Sequence, residues 1–103
     1  MSSYVFTFAG GERPQGEQEV AEVMSAWQSW FTTLGPAVKQ PGDPFGPAVT
    51  VSADGSARPG SAGDLGGYSV ITADSLDAAA ALAKGCPILE HGGRVEIYEV
   101  VPM

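Results

Sequence analysis

Basic side chains are scarce in this sequence. Its 103 residues include five lysines and arginines against twelve aspartates and glutamates, so the net charge is −7 at neutral pH. The phosphates of nucleic acids and anionic lipid headgroups both repel such a surface, and no basic stripe offsets that repulsion. We therefore expect neither nucleic acid nor a membrane as a partner.

Cysteine and long apolar runs are also rare. Cys86 is the one cysteine, which excludes an internal disulfide and favours a reducing compartment. The first residues lack the basic segment that begins a signal peptide, and no apolar run reaches the roughly 20 residues that cross a bilayer. These features predict a cytoplasmic protein.

Groups that bind metals or phosphates are too few or wrongly spaced. One histidine, one cysteine and scattered carboxylates do not match the ligand spacing of zinc sites. The glycine pair in Leu65–Tyr68 precedes a strand, whereas phosphate-binding loops precede a helix. We predict no metal and no cofactor, and we expect Cys86 to pack as a small apolar group.

The 14 glycines and 8 prolines cluster and divide the chain into elements of one domain, residues 1–103. Aromatic and β-branched runs predict strands, and helical apolar spacing predicts helices. Gly35-Pro36 should end the first helix, and Asp74 or Ser75 should cap the second. The predicted strands span residues 4–8, 48–53, 66–73 and 94–101, and the predicted helices span 17–34 and 76–84.

This β-α-β-β-α-β order predicts an α+β fold of the ferredoxin-like type. Its four strands form one antiparallel sheet with both helices on one face. Residues 39–47 are expected to be a loop, Asp54-Gly55 a tight turn, and Ser56–Gly63 a flexible segment or mobile flap.

The two tryptophans of the first helix receive different predictions. Trp27 falls on the apolar stripe of that helix and is expected in the core. Trp30 falls off the stripe, so we expect it at the helix margin against the sheet. Alternatives for Trp30 are the lining of a pocket and a contact between two copies.

Apolar residues occur on both faces of the predicted sheet, yet two helices cover only one face. An uncovered patch of this kind exceeds what monomers usually expose. We therefore predict a homodimer whose sheets pack face to face. The alternative is that residues 39–63 cover the second face. Along the first strand Tyr4, Phe6 and Phe8 lie on the face opposite Val5, and along the last strand Val95 and Ile97 lie on the face opposite Tyr98 and Val100.

Residues 65–100 carry a run of short motifs with a recognisable spacing. These are Leu65-Gly66-Gly67-Tyr68, Asp74-Ser75-Leu76-Asp77-Ala78-Ala79, Cys86-Pro87, His91-Gly92-Gly93 and Val95-Glu96-Ile97. The run resembles the YCII-related family, in particular its DGPF-domain branch. The resemblance implies a dimeric α/β barrel of ferredoxin-like subunits. It also implies kinship with small-molecule isomerases, lyases and monooxygenases that need no cofactor.

One motif departs from that branch. Where its members usually read Asp-Gly-Pro-Phe, this chain has Pro59–Asp64. The similar Gly42-Asp43-Pro44-Phe45 lies too early in the chain to be the same element. Any pocket that the usual motif helps to build is therefore in question.

The resemblance also suggests a candidate catalytic pair. Some members carry a histidine and an aspartate proposed for catalysis, and the matching histidine here is His91, the only one in the chain. Its imidazole titrates near neutrality, as a general acid or base must. Asp64 is the chosen carboxylate partner, ahead of Asp43. The competing interpretation treats His91 as a structural residue of its turn and Asp64 as a turn residue.

Two classes of function remain open from the sequence. The first is a cofactor-independent enzyme that uses His91 for proton transfer in an apolar cavity between helices and sheet. The second is a non-catalytic dimeric module that binds a metabolite or a partner protein.

Overall fold

Six strands and two α-helices follow one another along the chain, and the computed structural model describes all 103 residues. Two short 3₁₀ turns, Gly35–Ala37 and Pro87–His91, follow the helices α1 and α2. The elements are β1 (Ser2–Gly10), α1 (Gly16–Leu34), β2 (Val38–Gln40), β3 (Val49–Val51), β4 (Ala57–Pro59), β5 (Leu65–Ala73), α2 (Leu76–Ala83) and β6 (Gly93–Glu99).

The main sheet has the strand order β2-β5-β1-β6, and every neighbouring pair is antiparallel. The strand β1 lies between β5 and β6, so that Phe6 stands opposite Ser69 on one side and Ile97 on the other. Side chains of both helices pack with Tyr4 and Phe6 in one core. The predicted ferredoxin-like α+β fold is confirmed.

The second strand of this sheet is not the one that the sequence predicted. The segment expected at residues 48–53 does contain a strand, β3, but β3 pairs with β4 in a separate two-stranded sheet. The edge position beside β5 belongs instead to β2, inside the stretch expected to begin a loop. The alternation of Val49 and Val51 indicates a strand but does not specify which strand it pairs with. It pairs with β4 because a strand a few residues away can close a hairpin at low entropic cost.

The hairpin of β3 and β4 closes at the predicted Asp54-Gly55 turn. The Asp54 carboxylate accepts hydrogen bonds from the Ser56 hydroxyl at 2.7 Å and from its backbone N–H at 2.9 Å. These bonds stabilise the charged form and lower the pKa of Asp54. The expected flap at Ser56–Gly63 therefore contains a strand, Ala57–Pro59.

The predicted helix boundaries agree with the structure. Gly35, with a φ of 56°, ends α1 and donates its backbone N–H to the Phe31 carbonyl. Of the two caps expected for α2, Ser75 is the one used, because its hydroxyl accepts from the Ala78 N–H at 3.0 Å. Neither helix combines the length and the apolar character needed to cross a bilayer.

The two tryptophans occupy the reverse of their predicted environments. Trp30 is a core residue with 5% of its surface exposed, whereas Trp27 packs against the core from its margin. Trp30 and Leu34 are the buried residues of α1 and lie four positions apart. The sheet-facing side of the helix is therefore centred on this pair, about one ninth of a turn from Trp27, given 3.6 residues per turn.

The sheet face opposite the helices carries a mixture of side chains. Alternation along the strands places Val5, Val70 and Tyr98 on this open face, together with Thr7 and Glu96. The valines are partly buried, and Tyr98 is exposed. The face is thus apolar along its middle and polar toward β6, rather than uniformly apolar as expected.

Candidate functional site

A cavity of about 530 Å³ opens between α1 and the edge of the sheet. One wall is the α1 stretch from Val23 to Phe31, and the opposite wall is the loop 41–44 with the first half of β5. Phe8, Gly10 and Ile88 complete the lining. The volume falls within the range of pockets that bind small molecules, roughly 300–1,000 Å³.

Aromatic rings form the helix side of this cavity. The rings of Phe8 and Trp27 meet edge to face with centroids 4.9 Å apart, and Phe31 lies 6.0 Å from Trp27. Edge-to-face packing of this kind holds the rings in place and adds stability beyond area burial. Beside them Met24 is 60% exposed. The wall is therefore an apolar surface that the chain itself leaves partly uncovered.

The opposite wall is a loop fastened to β5 by hydrogen bonds. The buried Ser69 hydroxyl donates to the Pro41 carbonyl at 2.5 Å. The Phe45 N–H donates to the Gly66 carbonyl at 2.9 Å, and the Tyr68 N–H donates to the Asp43 carbonyl at 3.3 Å. The loop thus continues the edge pairing that β2 begins, and these hydrogen bonds hold it in place beside the cavity.

Gly42 makes this close approach possible. Its φ is +73°, and a Cβ built on it would lie 1.8 Å from the Tyr68 carbonyl oxygen. Any other residue would force the loop away from β5, and a left-handed backbone disfavours side chains as well. The segment Gly42–Phe45 therefore lies against Leu65–Tyr68 in space, although the two segments are far apart in the sequence.

His91 lies at the C-terminal end of the second 3₁₀ turn and is exposed. Its backbone carbonyl accepts a hydrogen bond from the Glu12 N–H at 2.8 Å, which joins this turn to the chain after β1. His91 is not among the residues that line the cavity, although Ile88 of the same turn is.

Asp64 is exposed and directly precedes β5. Its φ of 51° is a left-handed conformation that aspartate tolerates better than most residues. No ion pair joins it to His91, because the one ion pair of the chain is between Arg94 and Glu96. The two candidate catalytic residues are not ion-paired, and the catalytic assignment stays a prediction.

Cys86 and the acidic residues do not form a ligand cluster. No group of three or more histidine, cysteine, aspartate or glutamate side chains lies close enough to hold a metal ion. Cys86 is 2% exposed and packs in the core. Burial raises the pKa of its thiol from 9.0 to about 11, since a low-dielectric environment disfavours the thiolate.

A polar network occupies the β6 side of the open face. The Tyr98 hydroxyl donates to the Glu96 carboxylate at 2.5 Å, and the Arg94 guanidinium contacts the same group at 3.1 Å. The Tyr98 hydrogen bond and then Arg94 lower the pKa of Glu96, while Glu96 raises the pKa of Tyr98. This network is a surface feature separate from the cavity.

Residues 12–103 match the family model of the YCII-related domain. The chain belongs to the YCII-related family. Membership in its DGPF-domain branch stays a prediction, because the family match does not distinguish between branches. The cavity described above is accordingly a feature of a YCII-related chain. Its loop 41–45 contains Pro44-Phe45, which lies near Leu65–Tyr68 in space although the two segments are far apart in the sequence.

The comparisons with other proteins add little to the family assignment. No curated protein matches the chain. Among solved structures, it is similar to one titled "Crystal Structure of an Unknown Protein from Galdieria sulphuraria", with 11% identity and a TM-score of 0.43. The alignment covers 99% of this YCII-related chain and 46% of the other, so the chain spans about half the length of that protein.

The predictions made from the sequence missed most of the residues that line the cavity. The available signal was the apolar stripe of α1, which extends toward the helix N-terminus through Val20 and Met24. These residues are 40% and 60% exposed, so the stripe is longer than the sheet can cover. A stripe that exceeds its supporting sheet is a sign of a binding surface. Asp43 and the loop around it gave no comparable signal, because their position depends on pairing with β5.

Proposed function

We propose that this YCII-related protein binds a small, mostly apolar molecule in the cavity between α1 and the loop 41–45. The observation that carries the proposal is the aromatic wall of Trp27 and Phe31, partly uncovered and backed by the buried Phe8, facing a hydrogen-bonded loop. Burying such rings is worth about 25 cal/mol for each Å² of apolar surface removed from water. An apolar ligand therefore gains affinity from surface that the chain leaves open.

The fixed geometry of both walls supports binding rather than simple irregular packing. The loop is fastened to β5 at Ser69, Tyr68 and Gly66, and the rings are fastened to one another. A preformed site avoids the entropic cost of ordering side chains when the ligand enters. A second hollow of about 430 Å³, beside Ser3, Lys39 and Val70, has no aromatic residue in its lining.

Protein-observed NMR with 2-phenylethanol as the probe tests the proposal. We expect saturable chemical-shift changes at Trp27, Gly42 and Gly67, all of which line the cavity. Trp27→Ala should weaken binding about 10-fold or more, as loss of a large buried contact does. Tyr98→Ala is the matched control, because Tyr98 is an exposed aromatic residue outside the cavity. Equal effects of the two substitutions, or no saturable shift, would contradict the proposal.

Catalysis by His91 with Asp64 is the second candidate function. It is favoured by the position of His91 three residues after Ile88, a lining residue in the same turn. A bound molecule that extended past Ile88 toward this turn would meet the imidazole, a group that can transfer protons. Binding without catalysis requires no such extension, and we therefore place it first.

We further propose a second copy of the chain as its partner, with the open sheet faces in contact. Folded monomers of this mass expose roughly 5,500 Å² by the usual scaling with size, whereas this chain exposes 7107 Å². The excess is about 1,600 Å², within the roughly 1,000–2,500 Å² that each subunit of an obligate dimer buries. The partly buried Val5 and Val70 supply an apolar centre for such a contact.

We also propose a cytoplasmic location. Cys86 is a single free thiol that is buried in the core. A protein whose stability owes nothing to disulfides is suited to a reducing compartment.

A further inference from the structure

The residues that line the cavity carry an unbalanced set of charges. Asp43 is the one charged residue among the sixteen, and no lysine, arginine or histidine is present. The chain as a whole has a net charge of −7. An anionic ligand would therefore enter a negative field and find no counter-charge, while a cation would be attracted.

The aromatic wall adds a second preference of the same sign. Trp27 and Phe31 present π-systems to the cavity, and the face of an aromatic ring carries partial negative charge. A cation over a tryptophan face is attracted by this charge, more strongly the further it is removed from water. An ammonium group in this cavity would have rings on one side and the Asp43 segment on the other.

Two further polar features suit a donor-bearing ligand. Gln28 follows Trp27 on the helix wall and lines the cavity, and its amide oxygen accepts hydrogen bonds. The Ser69 hydroxyl is already committed to the Pro41 carbonyl, so it offers no free donor to an anion. The Gln28 amide also carries N–H donors, so Asp43 is the one lining residue whose side-chain oxygens only accept hydrogen bonds.

Given the proposed binding function, on which this inference rests, we infer that the cavity selects organic cations. The ligand class is a protonated amine carried on an aromatic or branched aliphatic body. The body occupies the space beside Trp27, and the ammonium group lies toward Asp43. Carboxylates and phosphates of the same size are rejected.

Isothermal titration with three matched probes tests this selectivity. The probes are 2-phenylethylammonium, 2-phenylethanol and phenylacetate, which share a phenyl body and differ in charge. We expect the ammonium probe to bind about 10-fold more tightly than the alcohol, in line with a cation–π and Coulomb gain. Phenylacetate should bind most weakly. Phenylacetate binding as tightly as the ammonium probe would overturn the inference.

Substitution of Asp43 separates the local effect of its carboxylate on the ligand from the effect of the chain's overall negative charge. Asp43→Asn should lower the affinity for the ammonium probe about 10-fold, to near that for the alcohol, and should change alcohol binding much less. Asp77→Asn removes the same charge from α2, outside the cavity, and should have little effect. Equal losses in the two variants would overturn the inference. Binding of the alcohol with no ammonium preference would overturn only the selectivity, whereas no binding of any probe would count against the binding function as well.

Discussion

The Trp30 indole N–H donates a hydrogen bond to the backbone carbonyl of Leu82 at 3.2 Å. The bond joins the middle of α1 to the last turn of α2, where helix carbonyls lack partners within their own helix. Trp30 also packs against Phe6 and Phe8 of β1, with ring centroids 6.3 and 6.1 Å away. One side chain therefore ties both helices to the central strand.

Trp30→Phe should lower the free energy of unfolding by about 1–2 kcal/mol, since it removes this bond and part of a buried ring. Trp27→Phe keeps a ring at a partly exposed site and should cost clearly less. Urea denaturation followed by circular dichroism measures both values. Equal losses for the two variants would show that the hydrogen bond to Leu82 contributes nothing.

Gly42→Ala should disrupt the cavity. The left-handed backbone alone costs about 1–2 kcal/mol with a Cβ present, and the added carbon would collide with the Tyr68 carbonyl. We expect a lower unfolding free energy and altered amide shifts in residues 41–45 and 66–69. Gly46→Ala is the matched control, because nothing lies within 4 Å of a Cβ at that position. Two equally stable variants would refute the role assigned to Gly42.

Stability should fall at alkaline pH because of Cys86. Its pKa is raised from 9.0 to about 11 in the folded chain, so the folded state holds the thiol proton more tightly than the unfolded state. The contribution of this thiol to the free energy of unfolding is fully present below pH 9. It falls by roughly 2–3 kcal/mol as the pH rises from 9 through 11. Cys86→Ala should flatten the stability profile in that window, and an unchanged slope would contradict the assignment.

The proposed dimer should be visible by sedimentation equilibrium at micromolar concentration. Val70→Lys places a charge on the apolar middle of the open face and should yield monomers that keep their secondary structure. Ala81→Lys adds the same charge on the exposed side of α2 and should leave the dimer intact. A monomer in the unmodified protein would exclude the face-to-face arrangement.

His91→Ala should leave the binding of 2-phenylethanol unchanged, because His91 does not line the cavity. The chain has a single histidine, so its imidazole NMR signals are assigned without ambiguity. We expect these signals to stay in place as the probe fills the cavity. Movement of the signals, with a change in the histidine titration, would favour the catalytic hypothesis for His91 and Asp64 instead.

Local pattern accounts for much of what the sequence predicted correctly. The aromatic run of β1, the Gly35-Pro36 stop of α1 and the cap of α2 each depend on neighbours within a few residues. The prediction of which strand pairs at the edge of the sheet was wrong, because Val38–Gln40 is short and carries little alternation. Its pairing follows from the return of the chain after α1, which no local signal reports.

The candidate site shows the same division. The apolar stripe of α1 contained the signal for one wall, since Val23, Met24 and Trp27 share a helix face. The other wall depends on Gly42–Phe45 meeting β5 across twenty or more intervening residues. His91 and Asp64 were selected for their chemical type, and chemical type does not specify position in space.

By itself the sequence determined both helices and the strands β1, β5 and β6, the net negative charge and the excess of apolar residues on α1, because each follows from composition and short-range periodicity. The tertiary structure alone decided which strand forms the sheet edge, which tryptophan is buried and where the cavity lies. Those three depend on which distant segments come into contact, and contacts between distant segments are settled by the packing of the whole chain.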